Sequence, residues 1–76
     1  MKSEDIEKML EQKLPGAVVA VIDLTGTFDH FEARVEWREF QGKNLIQQHQ
    51  IVNKALADAL EDGRIHALKI KTSVPK

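Results

Sequence analysis

Residues 17–37, AVVAVIDLTGTFDHFEARVEW, decide how this chain folds. Residues 17–24 form a continuous apolar run rich in β-branched side chains. That length and composition predict a strand buried on both faces. Thr25-Gly26-Thr27 is turn chemistry. From Phe31 onward the pattern becomes strict alternation. Phe31, Ala33, Val35 and Trp37 fall on one side, and Glu32, Arg34, Glu36 and Arg38 on the other. This predicts a half-buried strand with one solvated face. The two strands pair as an antiparallel hairpin across a loose loop at about 24–29.

Upstream, Ser3 predicts a helix N-cap, with Glu4 and Asp5 in the first turn, where the helix dipole favours anions. Ile6, Met9, Leu10 and Leu14 keep helical spacing, and Pro15-Gly16 stops the helix, giving a span of 4–13. Downstream, residues 40–44 are a connector whose Asn44 caps a second helix. Leu45, His49, Val52, Leu56 and Ala59 share one stripe of that helix, with Ile51, Ala55 and Leu60 beside it. Asp62-Gly63 ends it, so the expected span is 45–61. IHALKI at 65–70 is a third strand, and 72–76 is a tail. A strand–helix–strand step of this length is a right-handed crossover, so the third strand runs parallel to the second. The expected fold is α/β (α+β): one small domain ordered helix-strand-strand-helix-strand. It has a three-stranded mixed sheet with both helices on one face.

Composition narrows the function. The chain has 76 residues, 42% apolar and 30% charged, which suits one globular domain with a small core. It contains no cysteine. Disulfide scaffolds, thiolate nucleophiles, and zinc or iron–sulfur sites that draw all their sulfur ligands from this chain are therefore excluded. No apolar run approaches the roughly 18 residues of a membrane span, and the N-terminus is acidic, so a soluble cytoplasmic protein without membrane contact is expected. The net charge is −1. The first 40 residues carry −4 and the remaining 36 carry +3, an asymmetry too mild for a dedicated nucleic-acid binder. Nucleophile elbows, glycine-rich phosphate loops and HExxH are absent, and a small core leaves little room for a deep substrate pocket, so an enzyme is not expected.

Three histidines remain as candidates for chemistry. His66 opens the third strand, where imidazole is a good ligand for iron, copper or zinc, or else a polar residue at a strand edge. His30 enters the second strand and shares parity with Glu32 and Arg34, so it faces solvent. If the second and third strands are parallel neighbours, their N-terminal ends lie side by side and carry both imidazoles. Two imidazoles are half of a four-ligand site, which a thiol-free chain completes only with ligands from a partner. His49 lies on the apolar stripe of the second helix and reads as a half-buried histidine with a local hydrogen bond. Lys43, Lys54, Arg64, Lys69 and Lys71 read as surface solvation, and Trp37 and Phe40 as core-edge packing.

Several segments stand out together: Phe40-Gln41-Gly42-Lys43, then Leu45-Ile46-Gln47-Gln48-His49-Gln50-Ile51-Val52-Asn53, then Ile65-His66-Ala67-Leu68-Lys69-Ile70-Lys71-Thr72 and Pro75. With that spacing they resemble the BolA family. Asp29-His30-Phe31 also resembles the loop of that family's histidine-type members. The resemblance runs over residues 28–75 and implies a class II KH-like fold, with residues 1–76 as a single BolA-like domain. It implies a monothiol glutaredoxin as partner, with a 2Fe–2S cluster shared between the two proteins. The glutaredoxin would contribute its cysteine and a bound glutathione thiol. This chain would contribute His66, with His30 as the second metal ligand. The family then acts in iron–sulfur trafficking and iron regulation, and some members are described as transcriptional regulators. Two departures stand out. Gln48 and Gln50 replace the arginines that flank the helix histidine, removing positive charge that phosphate binding would use. The chain also stops at Lys76, where many members continue into a short helix with a Trp.

Three functions follow as expectations. The first is the cluster-sharing adaptor. The second is a nucleic-acid-binding regulator, weakened by the missing G-x-x-G clamp and by Gln48 and Gln50. The third is a metal-free protein-interaction domain, with a weak homodimer as one form.

Overall fold

A computed structural model describes residues 1–27 and 29–75. Phe28 of the expected loop and Lys76 of the expected tail lie outside the described residues. The elements are α1 (Ser3–Lys13), β1 (Val18–Asp23), β2 (His30–Glu36), a 3-10 turn (Arg38–Phe40), α2 (Leu45–Ala55), α3 (Ala57–Glu61) and β3 (Ala67–Ser73). The sheet order is β1-β2-β3, with β1 antiparallel and β3 parallel to the central β2. The mixed three-stranded sheet read from the sequence is the one formed.

The core lies between one sheet face and the helices. Phe31, Ala33 and Val35 of β2 meet Ile6 and Leu10 of α1, Val52 and Ala55 of α2, Leu56, and Ala59 of α3. The period-2 pattern of β2 and the helical stripes therefore close on one another, the consistency expected of a foldable sequence.

Five expectations are corrected. β1 is not buried on both faces. The helices cover only one side, and Val18 and Ile22 stand 65% and 41% exposed on the other. An apolar run alone does not distinguish an edge strand with apolar outward residues from a central one. β1 is such an edge strand, and the outward N–H of Val21 is taken by Glu7 Oε1 of α1 at 3.3 Å. Lys2, not Ser3, holds the N-cap position of α1, and Asp5 Oδ2 accepts the Lys2 N–H at 3.0 Å. The second helix is broken at Leu56, which is fully buried and leaves helical geometry at φ −109°, ψ 14°. Leu45, placed on the apolar stripe, is 64% exposed, and the buried position on that turn belongs to Gln48. Finally, β3 begins at Ala67 rather than 65 and runs to Ser73, into the expected tail.

The start of α2 is well specified. Asn44 Oδ1 accepts the Gln47 N–H at 2.8 Å while Gln47 Oε1 accepts the Asn44 N–H at 3.1 Å, a reciprocal capping box. One turn on, Gln48 Nε2 donates to the Lys43 carbonyl at 2.8 Å and the Phe40 carbonyl at 3.4 Å. Gln48 Oε1 accepts the Thr72 hydroxyl of β3. This amide, only 8% exposed, joins the connector, α2 and the C-terminal end of β3. Gln48 is thus buried, while Gln50 is exposed. Trp37 and Phe40 pack edge to face at 5.4 Å, and Trp37 Nε1 donates to the Pro15 carbonyl at 2.9 Å, so they are core-edge packing.

Candidate metal centre

The opposite end of the β2–β3 pair gathers the titratable groups. In the parallel register His30 pairs with Ala67, so His66, one residue earlier, sits beside His30. The two rings meet at right angles, with centroids 6.2 Å apart and planes at 82°. Both are accessible: their side chains are 41% and 59% exposed.

Each arm is held by local chemistry. On the His30 side, Asp23 Oδ1 accepts the N–H groups of Thr25 (3.2 Å) and Gly26 (2.9 Å), folding an Asx turn. Gly26 occupies it at φ +74°, where a Cβ would be strained. Thr25 and Thr27 share a hydroxyl hydrogen bond, and the Thr27 hydroxyl donates to Asp29 Oδ1. On the His66 side, Ile65 is a core residue at 2% exposure and its N–H bonds the Ala59 carbonyl at 3.0 Å. Anchoring Ile65 inward turns His66 outward. The arms are then tied together by main chain: the Asp29 carbonyl accepts the N–H groups of His66 (2.8 Å) and Ala67 (3.3 Å).

The Asp29 carboxylate lies between the imidazoles. Oδ1 is 2.7 Å from His30 Nδ1, and Oδ2 is 3.2 Å from His66 Nδ1. The hydrogen bond from Thr27 and that from His30 hold the Asp29 carboxyl below its ordinary pKa, with the nearby imidazoles adding a smaller electrostatic pull. Among the described residues, neither Nε2 has a hydrogen-bond partner. Imidazole nitrogen is a borderline ligand suited to iron, copper or zinc. No group of three or more His, Cys, Asp or Glu among the described residues is arranged to hold a metal ion. What this chain offers is a pair of nitrogen donors.

Both predicted site histidines are thus brought together, and His49 is not with them. It is half-buried in the middle of α2, with no ring contact or ion pair to either. Asp29 was not singled out as a site residue from the sequence. The available signal was its adjacency to His30 at the mouth of a strand predicted to run beside His66.

Away from this end, the open sheet face has a second charge cluster. Glu32 of β2 is 5% exposed beneath Arg34 (Nε to Oε2, 2.7 Å) and Lys71 (Nζ to Oε1, 3.8 Å). The Arg34 hydrogen bond, with Lys71 and Lys69 nearby, holds the Glu32 carboxyl below its ordinary value against the opposing effect of burial. The solvated face expected for β2 therefore has one buried member, and part of the basic character of β3 is neutralised by it.

Comparison with known proteins is consistent across sequence and structure. The sequence model of the BolA family, described as BolA-like protein, matches residues 6–76. An uncharacterized protein of Rickettsia prowazekii is 36% identical over 76 residues, covering 99% of this chain and 97% of that protein. Human BolA-like protein 3 is 38% identical over 73 residues, covering 93% of this chain and 66% of the human protein. Among solved structures, a BolA protein homologue from Coxiella burnetii superposes with a TM-score of 0.82 at 32% identity, covering 99% of this chain and 92% of the other.

Proposed function

This chain belongs to the BolA-like family, and from that premise we propose that it is a non-catalytic adaptor that shares a 2Fe–2S cluster with a monothiol glutaredoxin. The observation that carries the reading is the pair of accessible imidazoles at one sheet end, 6.2 Å apart, each with its Nε2 unengaged among the described residues. His66 and His30 are the ligands this chain supplies. The donor set fits half of a shared site, and the glutaredoxin cysteine and glutathione thiol supply the other half. When bound, such a cluster is cargo for transfer or an iron signal, and imidazole ligation gives it a higher potential than all-thiolate ligation.

The chain's own residues have simple tasks in this reading. The Asp29 carbonyl fixes the two strand entrances together, so the donors are presented as a unit. Ile65 anchors the approach to His66, and the Asx turn at Asp23 anchors the approach to His30. The exchange belongs in the cytoplasm, where thiols stay reduced. No helix among the described residues is long and apolar enough to cross a membrane.

The test is anaerobic reconstitution with a monothiol glutaredoxin and glutathione, read by visible circular dichroism. Glutaredoxin alone, with its own cluster, is the reference. A new spectrum at one-to-one stoichiometry that requires His66 is the expected result. A spectrum identical to that of glutaredoxin alone, with no complex on gel filtration, would sink the proposal and favour a metal-free interaction domain.

A further inference from the structure

We propose that Asp29 is a positioning residue that sets both imidazoles in one tautomer, with the proton on Nδ1 and the Nε2 lone pair presented outward as a ligand. This goes beyond naming the two histidines. It rests on the reading of His30 and His66 as ligands only for its consequence in the loaded complex.

The geometry is specific. A carboxylate accepts and does not donate when ionised, and it has two oxygens. Here each oxygen approaches a different ring: Oδ1 is hydrogen-bonded to His30 Nδ1 at 2.7 Å, and Oδ2 stands 3.2 Å from His66 Nδ1 as a charge contact. The hydrogen bond places the proton of His30 on Nδ1, and the carboxylate charge beside His66 favours the proton on its Nδ1 too, which leaves Nε2 bare in each neutral ring. Ligating histidines are commonly held this way by a second group that fixes ring orientation and raises ligand basicity. The unusual feature is that one carboxylate lies against both rings, hydrogen-bonded to one and paired by charge with the other. The carboxylate is itself fixed by the Thr27 hydroxyl on Oδ1, and its backbone by the His66 and Ala67 N–H groups on the carbonyl. The Asp29 side chain can therefore be changed without removing the main-chain tie between the strands.

The consequence concerns assembly. A ring whose proton sits on Nε2 must shift that proton or flip before it ligates through Nε2. A pair already set on Nδ1 needs neither step, which is a preorganised donor set.

The first readout needs no metal and no partner. Ring-nitrogen NMR correlation spectra of the ¹⁵N-labelled chain, taken about two pH units above the ordinary imidazole pKa of about 6.5, report the tautomer of each neutral ring. The wild type should show Nδ1–H and bare Nε2 for both His30 and His66. Asp29→Ala should move both rings toward the Nε2–H form that free imidazole favours in water. Asp29→Asn keeps one acceptor oxygen and replaces the other with an N–H₂ donor, so it should retain one ring and flip the other. Unchanged His66 and Ala67 amide shifts will show that the loop is intact in each variant. Nε2–H rings in the wild type, or tautomers unmoved by Asp29→Ala, would overturn the proposal.

The second readout is the complex reconstituted with glutaredoxin and glutathione. Asp29→Ala should lose its cluster about 10–100-fold faster than wild type. Equal loss rates and equal visible spectra would overturn the positioning role. A wild type with the Nδ1–H pair that forms no complex would sink the ligand reading and leave the Asp29 assignment standing.

Discussion

The two ends of the β2–β3 pair are built on the same plan and differ in what they leave exposed. At the C-terminal end of β3, Gln48 bridges two carbonyls and the Thr72 hydroxyl and is 8% exposed. At the N-terminal ends, Asp29 bridges two imidazoles that are 41% and 59% exposed. The amide has its polar atoms satisfied inside the protein. Beside the carboxylate, a nitrogen on each ring faces outward without a protein partner among the described residues. The difference teaches how a polar network complete in itself differs from one left open to a further ligand, as proposed for the histidine end. The first closes on itself out of water, and the second leaves its donors accessible.

Removing one member from each end is the sharpest way to break this comparison. His66→Ala should abolish cluster sharing with glutaredoxin. It should leave the unfolding free energy within about 0.5 kcal/mol of wild type, as for other exposed substitutions. Retention of the wild-type visible spectrum in that variant would erase the functional end. Gln48→Ala should do the reverse. It strands buried partners at an expected cost of about 1–3 kcal/mol, or roughly 5–20 °C in Tm for a chain of this size. Below its Tm it should still form the cluster complex. A thermal melt indistinguishable from wild type would show that the amide network is ornamental.

His30→Ala sharpens the comparison within the functional end. Its ring is the less exposed of the two and the more closely held by Asp29. The variant should weaken the complex and alter its visible circular dichroism without abolishing it. A loss as complete as that of His66→Ala would make the two ligands equivalent.

The smallest effect concerns the open face. Glu32 has its pKa lowered on folding, mainly by the Arg34 hydrogen bond. A carboxyl depressed in the folded state contributes stability that is present above its unfolded value of about 4.3 and is lost as pH falls through the folded value. Urea unfolding between neutral pH and pH about 3 should show that loss in the wild type. Glu32→Gln should be less stable at neutral pH and show a shallower decline. Parallel curves would remove Glu32 as a contributor.

Much of this was legible in the sequence because its signals are local. The alternation of Phe31 to Trp37, the Asn44 cap and the crossover rule fix the sheet and the parallel neighbour, and that neighbour brings His30 and His66 together. What was not legible depends on three-dimensional surroundings. Nothing in residues 17–24 says that no layer covers the outer face of β1. Gln48 reads only as the loss of a positive charge until Thr72 and the Phe40 carbonyl close around it. Leu45 follows the helical stripe, yet its side of the first turn of α2 lies beyond the edge of the core, and Gln48 takes the buried position. Asp29 reads as a loop acid because its second partner is 37 positions away.

The hydrogen bond from Val21 to Glu7 has a consequence for how concentrated this protein can become. β1 is an apolar edge strand with no proline and no lysine to discourage a neighbour, and such an edge is a template for adding a strand from another molecule. β3, the other edge, is guarded by Lys69 and Lys71. On β1 a carboxylate reaches across from α1 to occupy a main-chain donor. A side chain that lies outside the sheet altogether thus helps to oppose self-assembly of the chain into stacked sheets at that edge. A change at Glu7 would show itself first in crowded solution, as gelling or fibre growth, while dilute samples still looked well folded.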